Sequence, residues 1–379
     1  MIKILTIIGA RPQIIKAAAI SRSIKNKFQT KIKEVIVHTG QHYDANMSEV
    51  FFEELQIPKP DYNLNIGSGK HGNQTGKMIS GIEEILETEK PNFMVIYGDT
   101  NSTLAGAISA SKMHVQVVHI EAGLRSFNKS MPEEINRIVS DHVSTYLFPP
   151  TQTGVDNLKR EGFNLESNPP FTIDNPGIFN LGDVMLDNSL YFSEIAESSN
   201  VLEILDLEKN KYVLATIHRN NNTDDKERLK QIFKSLHHIS RQENVKIVLP
   251  LHPRTLKQRK VLLDESFSKE LDENKNLIII EPVSFLEMIA LEKNAKLIIT
   301  DSGGVQKEAF FFSKPCIILR QETEWVEIVE SGAARLCDAN FEMIIESYYW
   351  FDKNQNIQAA NLYGDGTAAE KILQLLLND

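Results

Sequence analysis

The stretch Leu297-Ile-Ile-Thr-Asp-Ser-Gly-Gly-Val-Gln-Lys-Glu308 passes from an isoleucine-rich run, through Asp301-Ser302-Gly303-Gly304, into a second apolar segment at helical spacing. A strand that turns directly into a helix leaves free N–H groups and the positive end of the helix dipole at the turn, where an anion binds. Two glycines there let a ligand approach the backbone, so the chemistry expected at Ser302, Gly303 and Gly304 is diphosphate binding. Glu308 follows about a turn later, on a side that could meet a sugar ring. Glycine turns are common in α/β proteins, so a site has to be argued from more residues than these.

Other charged side chains recur just past short apolar runs. Arg11 and Lys16 open the helix that follows the run 2–8, close enough in sequence to hold one anionic ligand between them. Asp99 follows the run 93–97 and Glu121 follows 115–120, so two successive strands deliver carboxylates to one edge of a sheet. Carboxylates crowded beside a substrate raise one another's pKa, which provides an acid and a base near neutral pH. Pro132-Glu-Glu-Ile-Asn-Arg137 starts a helix on which Glu134 and Arg137, three apart, share a face. His218 and Arg219 follow the run 212–217, and His252-Pro-Arg254 lies just past 245–249.

The elements that must position these groups alternate. Runs 2–8, 34–39, 93–97, 115–120 and 146–149 read as strands, with helices over 14–28, 78–86, 103–111 and 151–162. Residues 40–44 read as a polar loop and the glycine-rich 67–76 as a surface loop. Asn, Pro and Ser dominate 166–176, after which the rhythm restarts with strands at 212–217, 245–249, 277–280, 297–299 and 315–319. The expected fold class is α/β, with two doubly wound parallel-sheet, Rossmann-like domains facing a cleft. Their expected extents are residues 1–175 and 176–361, with a last helix in 362–379 as a candidate to pack back on the first domain.

Composition removes several alternatives. With 379 residues, 41% of them hydrophobic, the chain is long enough for about two domains, and its formal charge of −10 argues against a nucleic-acid or anionic-membrane surface. Only Cys316 and Cys337 are present, neither near a Cys or His at zinc spacing, so neither a metal nor a disulfide framework is expected. No run approaches the ~20 apolar residues that span a bilayer, and 2–8 is too short for a signal peptide. A cytoplasmic location with reduced thiols is the expectation.

Taken together, Gly9-Ala-Arg-Pro-Gln13, His38-Thr-Gly-Gln-His42, Tyr97-Gly-Asp-Thr100, His119-Ile-Glu-Ala-Gly-Leu-Arg125, Pro132-Glu-Glu-Ile-Asn-Arg137, Thr216-Ile-His-Arg219 and Asp301-Ser-Gly-Gly-Val-Gln-Lys-Glu308 resemble the non-hydrolysing UDP-N-acetylglucosamine 2-epimerases. That family has the two-domain, glycosyltransferase-B-like fold. Gln13 stands where the common members have Glu, and Glu324-Trp325-Val-Glu327 replaces an Arg-Pro-Glu run, which is similar to the branch acting on UDP-2,3-diacetamido-2,3-dideoxyglucuronate.

The resemblance implies a UDP-sugar substrate, elimination and re-addition of UDP across C1–C2, no cofactor, a homodimer, and a role in cell-surface polysaccharide precursors. It implies Asp99, Glu121 and Glu134 as acid–base groups at C2 and His218 as the group at the departing diphosphate. Arg11, Lys16, Arg137, Arg219, Arg254, Ser302, Gly303, Gly304 and Glu308 are the implied binding residues. Phe285, after the strand 277–280, is expected to wall the uracil. Arg320 is expected to reach the ring of a sugar carboxylate, with Gln13 relieving a repulsion against it. The competing expectations are a hydrolysing epimerase that releases free N-acetylmannosamine and UDP, a glycosyltransferase of the same fold, and a non-catalytic nucleotide-sugar sensor.

Overall fold

Strand β1 (Ile2–Ile8) forms because five consecutive residues, Ile4 to Ile8, are buried on both faces, which selects the β-branched run the sequence provides. The computed structural model describes residues 1–40, 55–354 and 361–378, so the segment that carries Gln41 to Asp44 lies outside the described residues. The chain divides into two compact units, one made of Met1–Leu190 with Asn361–Asp379 and the other of Tyr191–Ala360.

The first unit holds β1, β2 (Ile32–His38), β3 (Tyr62–Asn63), β4 (Phe93–Tyr97), β5 (Gln116–Ile120), β6 (Tyr146–Phe148) and β7 (Gly177–Ile178), in the order β3-β2-β1-β4-β5-β6-β7. The second holds β8 (Tyr212–Thr216), β9 (Lys246–Pro250), β10 (Leu277–Ile280), β11 (Leu297–Thr300), β12 (Cys316–Ile318) and β13 (Ala334–Leu336), ordered β10-β9-β8-β11-β12-β13. Every strand pair in both sheets is parallel. Each sheet is therefore a doubly wound, Rossmann-like one whose strand order reverses at its centre, between β1 and β4 in the first and between β8 and β11 in the second. The central strands β4, β8 and β11 are buried along their whole length.

Three sequence expectations differ from the structure. The division falls after Leu190 rather than at 175/176, because β7 pairs with β6 and extends the first sheet past the Asn- and Pro-rich stretch. A helix runs over His71–Glu89, so the second half of the 67–76 loop is helical. It packs on the Asn101–Lys112 helix, and Asn101 donates to Gln74 Oε1 at 2.9 Å, a tertiary contact that overrides the low helix propensity of Gly72 and Gly76. The first helix starts at Arg11 and ends as a five-residue π turn, Ile24–Phe28.

The Ala368–Asn378 helix belongs to the first unit. It buries Ile372, Leu373 and Leu376, and Asp187 accepts from the Ala368 and Ala369 N–H groups at 3.1 and 2.8 Å. Asp183 N–H donates to the Tyr363 carbonyl at 2.9 Å, tying the returning segment to residues that precede the division.

Candidate active site

In the first unit the charged groups gather where the strand order reverses. Chain leaving the carboxyl ends of β1 and β4 diverges there, and that is where such sheets hold ligands. Gly98 ends β4 at φ +62°, and a Cβ on it would sit 3.0 Å from Lys16 Nζ and 3.4 Å from Glu121 Oε1. Glycine thus lets this ion pair close on the backbone beside Asp99. Lys16 Nζ donates to Glu121 Oε1, and both side chains are about nine-tenths buried, at 11% and 10% exposure. Glu121 itself sits at φ +70°, a left-handed conformation that costs a glutamate roughly 1–3 kcal/mol and aims its carboxylate along the end of β5.

Arg137 joins the other two acids, its Nη2 donating to Asp99 Oδ2 and its Nη1 to Glu134 Oε2 at 2.9 Å. The two carboxylates are differently placed. Asp99 keeps 30% of its side chain open, and burial of the rest, helped by Glu121 and Glu133 and opposed by Arg137 and Lys16, pushes its carboxyl above the ordinary range. Glu134 is 1% exposed and also accepts from the Ser126 and Phe127 N–H groups at 2.9 Å each. Burial works to raise its carboxyl, but these donors and Arg137 hold it below the ordinary range. Asp99 is thus the more open carboxyl with the raised pKa, and Glu134 the buried anion that anchors the 126–127 turn.

A second layer, missed in the sequence, fixes this edge. His119 on β5 sets Nε2 2.8 Å from the Gly98 carbonyl and Nδ1 2.7 Å from Asp141 Oδ1. Asp141 also takes Arg125 Nη1 at 2.7 Å and the Gly123 N–H at 3.1 Å. Burial opposes ionisation of Asp141, yet His119 and Arg125 hold its carboxyl below the ordinary range, and the His119 ring bridges that carboxylate to the Gly98 carbonyl. The signal available was His119 and Arg125 flanking Glu121 in one motif; Asp141 had none.

Gln13 is 1% exposed and fully engaged, accepting from Ala10 N–H at 3.2 Å and donating to the Tyr97 carbonyl at 3.1 Å and Thr103 Oγ1 at 3.0 Å. It braces the loop after β1 against the end of β4, and the repulsion argument attached to it has no geometric basis. Arg11 stands exposed at the first turn of the same helix.

In the second unit, the reversal between β8 and β11 carries His218, Arg219 and the glycine turn. Ser302 caps the Gly303–Phe311 helix. A Cβ on Gly303 would meet nothing nearer than 3.7 Å, and one on Gly304 nothing nearer than 3.9 Å. By contrast, a Cβ on Gly9 would lie 2.1 Å from Ser102 Oγ. The chain's own packing requires glycine at Gly9 but leaves the space beside Gly303 and Gly304 open at a helix N-terminus, as close approach of an anion needs. Glu308 lies buried on that helix. Asp301, unassigned from the sequence, is fully buried behind His218, whose Nδ1 lies 3.0 Å from Asp301 Oδ1. It was legible by the logic applied to Asp99, an acid at a strand end.

The more distant expectations fare differently. Arg254 forks onto Asp224 with two contacts of 2.6 Å and reaches Asn220. Arg320 forks onto Glu324 at 2.7 and 2.9 Å, nine-tenths buried on both sides, beside Trp325 and Gly303. Burial opposes it, but Arg320 holds the Glu324 carboxyl down at about 2, so the guanidinium expected to meet a sugar carboxylate is already matched by an internal one. Phe285, expected to wall the uracil, is 5% exposed and packs edge-to-face on Phe192 at 5.2 Å. Among the described residues no His, Cys, Asp and Glu cluster could hold a metal ion, and no helix is long and apolar enough to cross a membrane.

Residues 25–377 match the family model for UDP-N-acetylglucosamine 2-epimerase. The UDP-2,3-diacetamido-2,3-dideoxy-D-glucuronate 2-epimerase of Pseudomonas aeruginosa is 51% identical over 375 residues, covering 99% of each chain. The crystal structure of the Methanocaldococcus jannaschii UDP-GlcNAc 2-epimerase in complex with UDP-GlcNAc and UDP superposes with a TM-score of 0.83 at 44% identity, covering 100% of this chain and 99% of that one. A UDP-bound glycosyltransferase from Siraitia grosvenorii, at 9% identity and a TM-score of 0.65 over 100% of each chain, shares the fold alone.

Proposed function

The chain belongs to the UDP-N-acetylglucosamine 2-epimerase family, and from that premise we propose that it inverts C2 of UDP-GlcNAc or of its 2,3-diacetamido-glucuronate relative by eliminating and re-adding UDP. The observation that carries the reading is the group of Asp99, Glu121, Glu134, Lys16 and Arg137 at the reversal point of the first sheet, with the Asp99 carboxyl raised and the Glu134 carboxyl held as an anion. C2 of a sugar is not acidic, so its proton leaves as the C1–O bond breaks and UDP departs with the bonding electrons. A proton then returns to C2 from the opposite face while a UDP oxygen re-forms the bond to C1. Two acid–base groups serve the two faces, and Asp99 and Glu121, delivered by the ends of the adjacent strands β4 and β5, are the pair assigned to them. Glu134 serves by holding the 126–127 turn and Arg137.

Charge growing on the departing diphosphate meets His218 and the Ser302–Gly304 helix start, where preformed donors stabilise it by a few kcal/mol each. Arg11, Lys16, Arg219 and Glu308 complete the binding set. Turnover of UDP-GlcNAc and of the diacetamido-uronate in deuterated water, followed by NMR, tests the reading. Deuterium at C2 of an intact UDP-sugar is the expected result; free sugar with UDP marks hydrolysis, and unlabelled C2 sinks the proposal. The implied homodimer and cytoplasmic location belong to the same proposal. Sedimentation velocity checks the first, and two buried free thiols, Cys316 and Cys337, favour the second.

A further inference from the structure

The carboxyl end of β11 carries a group that this reaction scheme leaves without a task. Asp301 is fully buried, and its two oxygens accept from the His218 N–H at 3.1 Å each, with Oδ2 also taking the Arg219 N–H and Asn222 Nδ2 at 3.1 Å. The same carboxylate faces His218 Nδ1 at 3.0 Å. Burial opposes its ionisation, but the donors from His218, Asn222 and Arg219 keep it below the ordinary range, so it remains an acceptor on both oxygens.

We propose that Asp301 is a positioning residue that acts through His218, holding the proton on Nδ1 and turning Nε2 outward as the nitrogen that meets the departing diphosphate. The proposal rests on the reading of His218 as the group beside that diphosphate. The ring is 55% exposed although its Nδ1 edge is anchored to a group with no exposure, so the open edge is the one that carries Nε2. A carboxylate behind an imidazole fixes the tautomer and stabilises the imidazolium that forms when Nε2 takes up a proton. Asp301 also sits one residue before Ser302, which caps the helix start. Asparagine cannot replace it: the amide would turn a donor toward N–H groups that already donate.

The experiment uses the ligand-free full chain with 15N-labelled histidine. The neutral His218 ring is expected to carry its proton on Nδ1, and Asp301→Asn is expected to move the proton to Nε2. An Nε2-protonated ring in the unsubstituted protein overturns the proposal without any variant, which covers the case in which Asp301→Asn does not fold. The second arm is a double-mutant cycle on turnover. Asp301→Asn is expected to lower it roughly 10²-fold alone but by less than about threefold in a His218→Ala background, because a group acting through the ring has nothing left to act on. Full additivity of the two losses would show a merely structural carboxylate. The tautomer is read without substrate, so a failure of the epimerase reading in the deuterium experiment is separable from a failure here.

Discussion

The two reversal points, built on sheets whose central strands follow the same order, present different kinds of groups. At the first, between β1 and β4, charged side chains face one another: Lys16 against Glu121, and Arg137 between Asp99 and Glu134. At the second, between β8 and β11, stand a helix start and an imidazole, the imidazole held by one carboxylate that is itself withdrawn from solvent. Groups that exchange protons need neighbours whose charge shifts their pKa. A fixed diphosphate needs dipoles that do not move. The same topology serves either purpose, and the side chains at the strand ends decide which.

Asp99→Asn tests that division with the largest expected effect. Epimerisation should fall about 10²- to 10⁴-fold while UDP affinity by calorimetry stays within about threefold. A parallel loss of UDP affinity would mean that the two regions are not chemically separate. Gln13→Glu comes next. The carboxylate would lose both donors now facing Tyr97 O and Thr103 Oγ1, so urea unfolding should show the protein about 2 kcal/mol less stable, with turnover of both UDP-sugars reduced alike. An effect confined to the uronate would return Gln13 to substrate choice.

Gly304→Ala sharpens the other side of the comparison. Because a Cβ there has no neighbour nearer than 3.9 Å, the melting temperature should hold while UDP affinity drops about tenfold, roughly 1.4 kcal/mol. Unchanged UDP affinity would remove the helix start from the diphosphate site. The smallest effect is on stability against pH. Glu134 has a folded-state pKa below its unfolded one, so its contribution is present above the unfolded value and is lost as pH falls through the folded one. Asp99 has the opposite sign, its raised carboxyl lowering stability as pH rises. Acid unfolding of Glu134→Gln should therefore lack part of the loss that the unsubstituted protein shows from about pH 5 downward. An identical acid profile would contradict the anchoring role.

The sequence made both reversal points legible, because a buried parallel strand must be a continuous apolar run, and polar residues after it stand where ligands bind. Asp99, Glu121, His218 and the Ser302–Gly304 turn all followed from that rule. What stayed hidden depends on distance in sequence. Asp141 is 22 positions from His119, and although Asp301 was legible as an acid at a strand end, its pairing with His218, 83 positions away, was not; no local period marks either pairing. Strands β3, β7 and β13, two or three residues each, are too short to carry a period, and missing β7 misplaced the domain division. For Arg320 and Phe285 the sequence shows a charge and an aromatic ring but not the neighbours Glu324 and Phe192 that the structure sets beside them.

The returning helix Ala368–Asn378 has a consequence for how the protein is made. The second unit is one unbroken segment, whereas the first is completed only by residues that follow that segment. During synthesis, 191–360 can close its own sheet as soon as it leaves the ribosome, while the first unit waits with Asp187 unsatisfied and the surface under Ile372 and Leu373 uncovered. The order of birth is thus the reverse of the order of finishing.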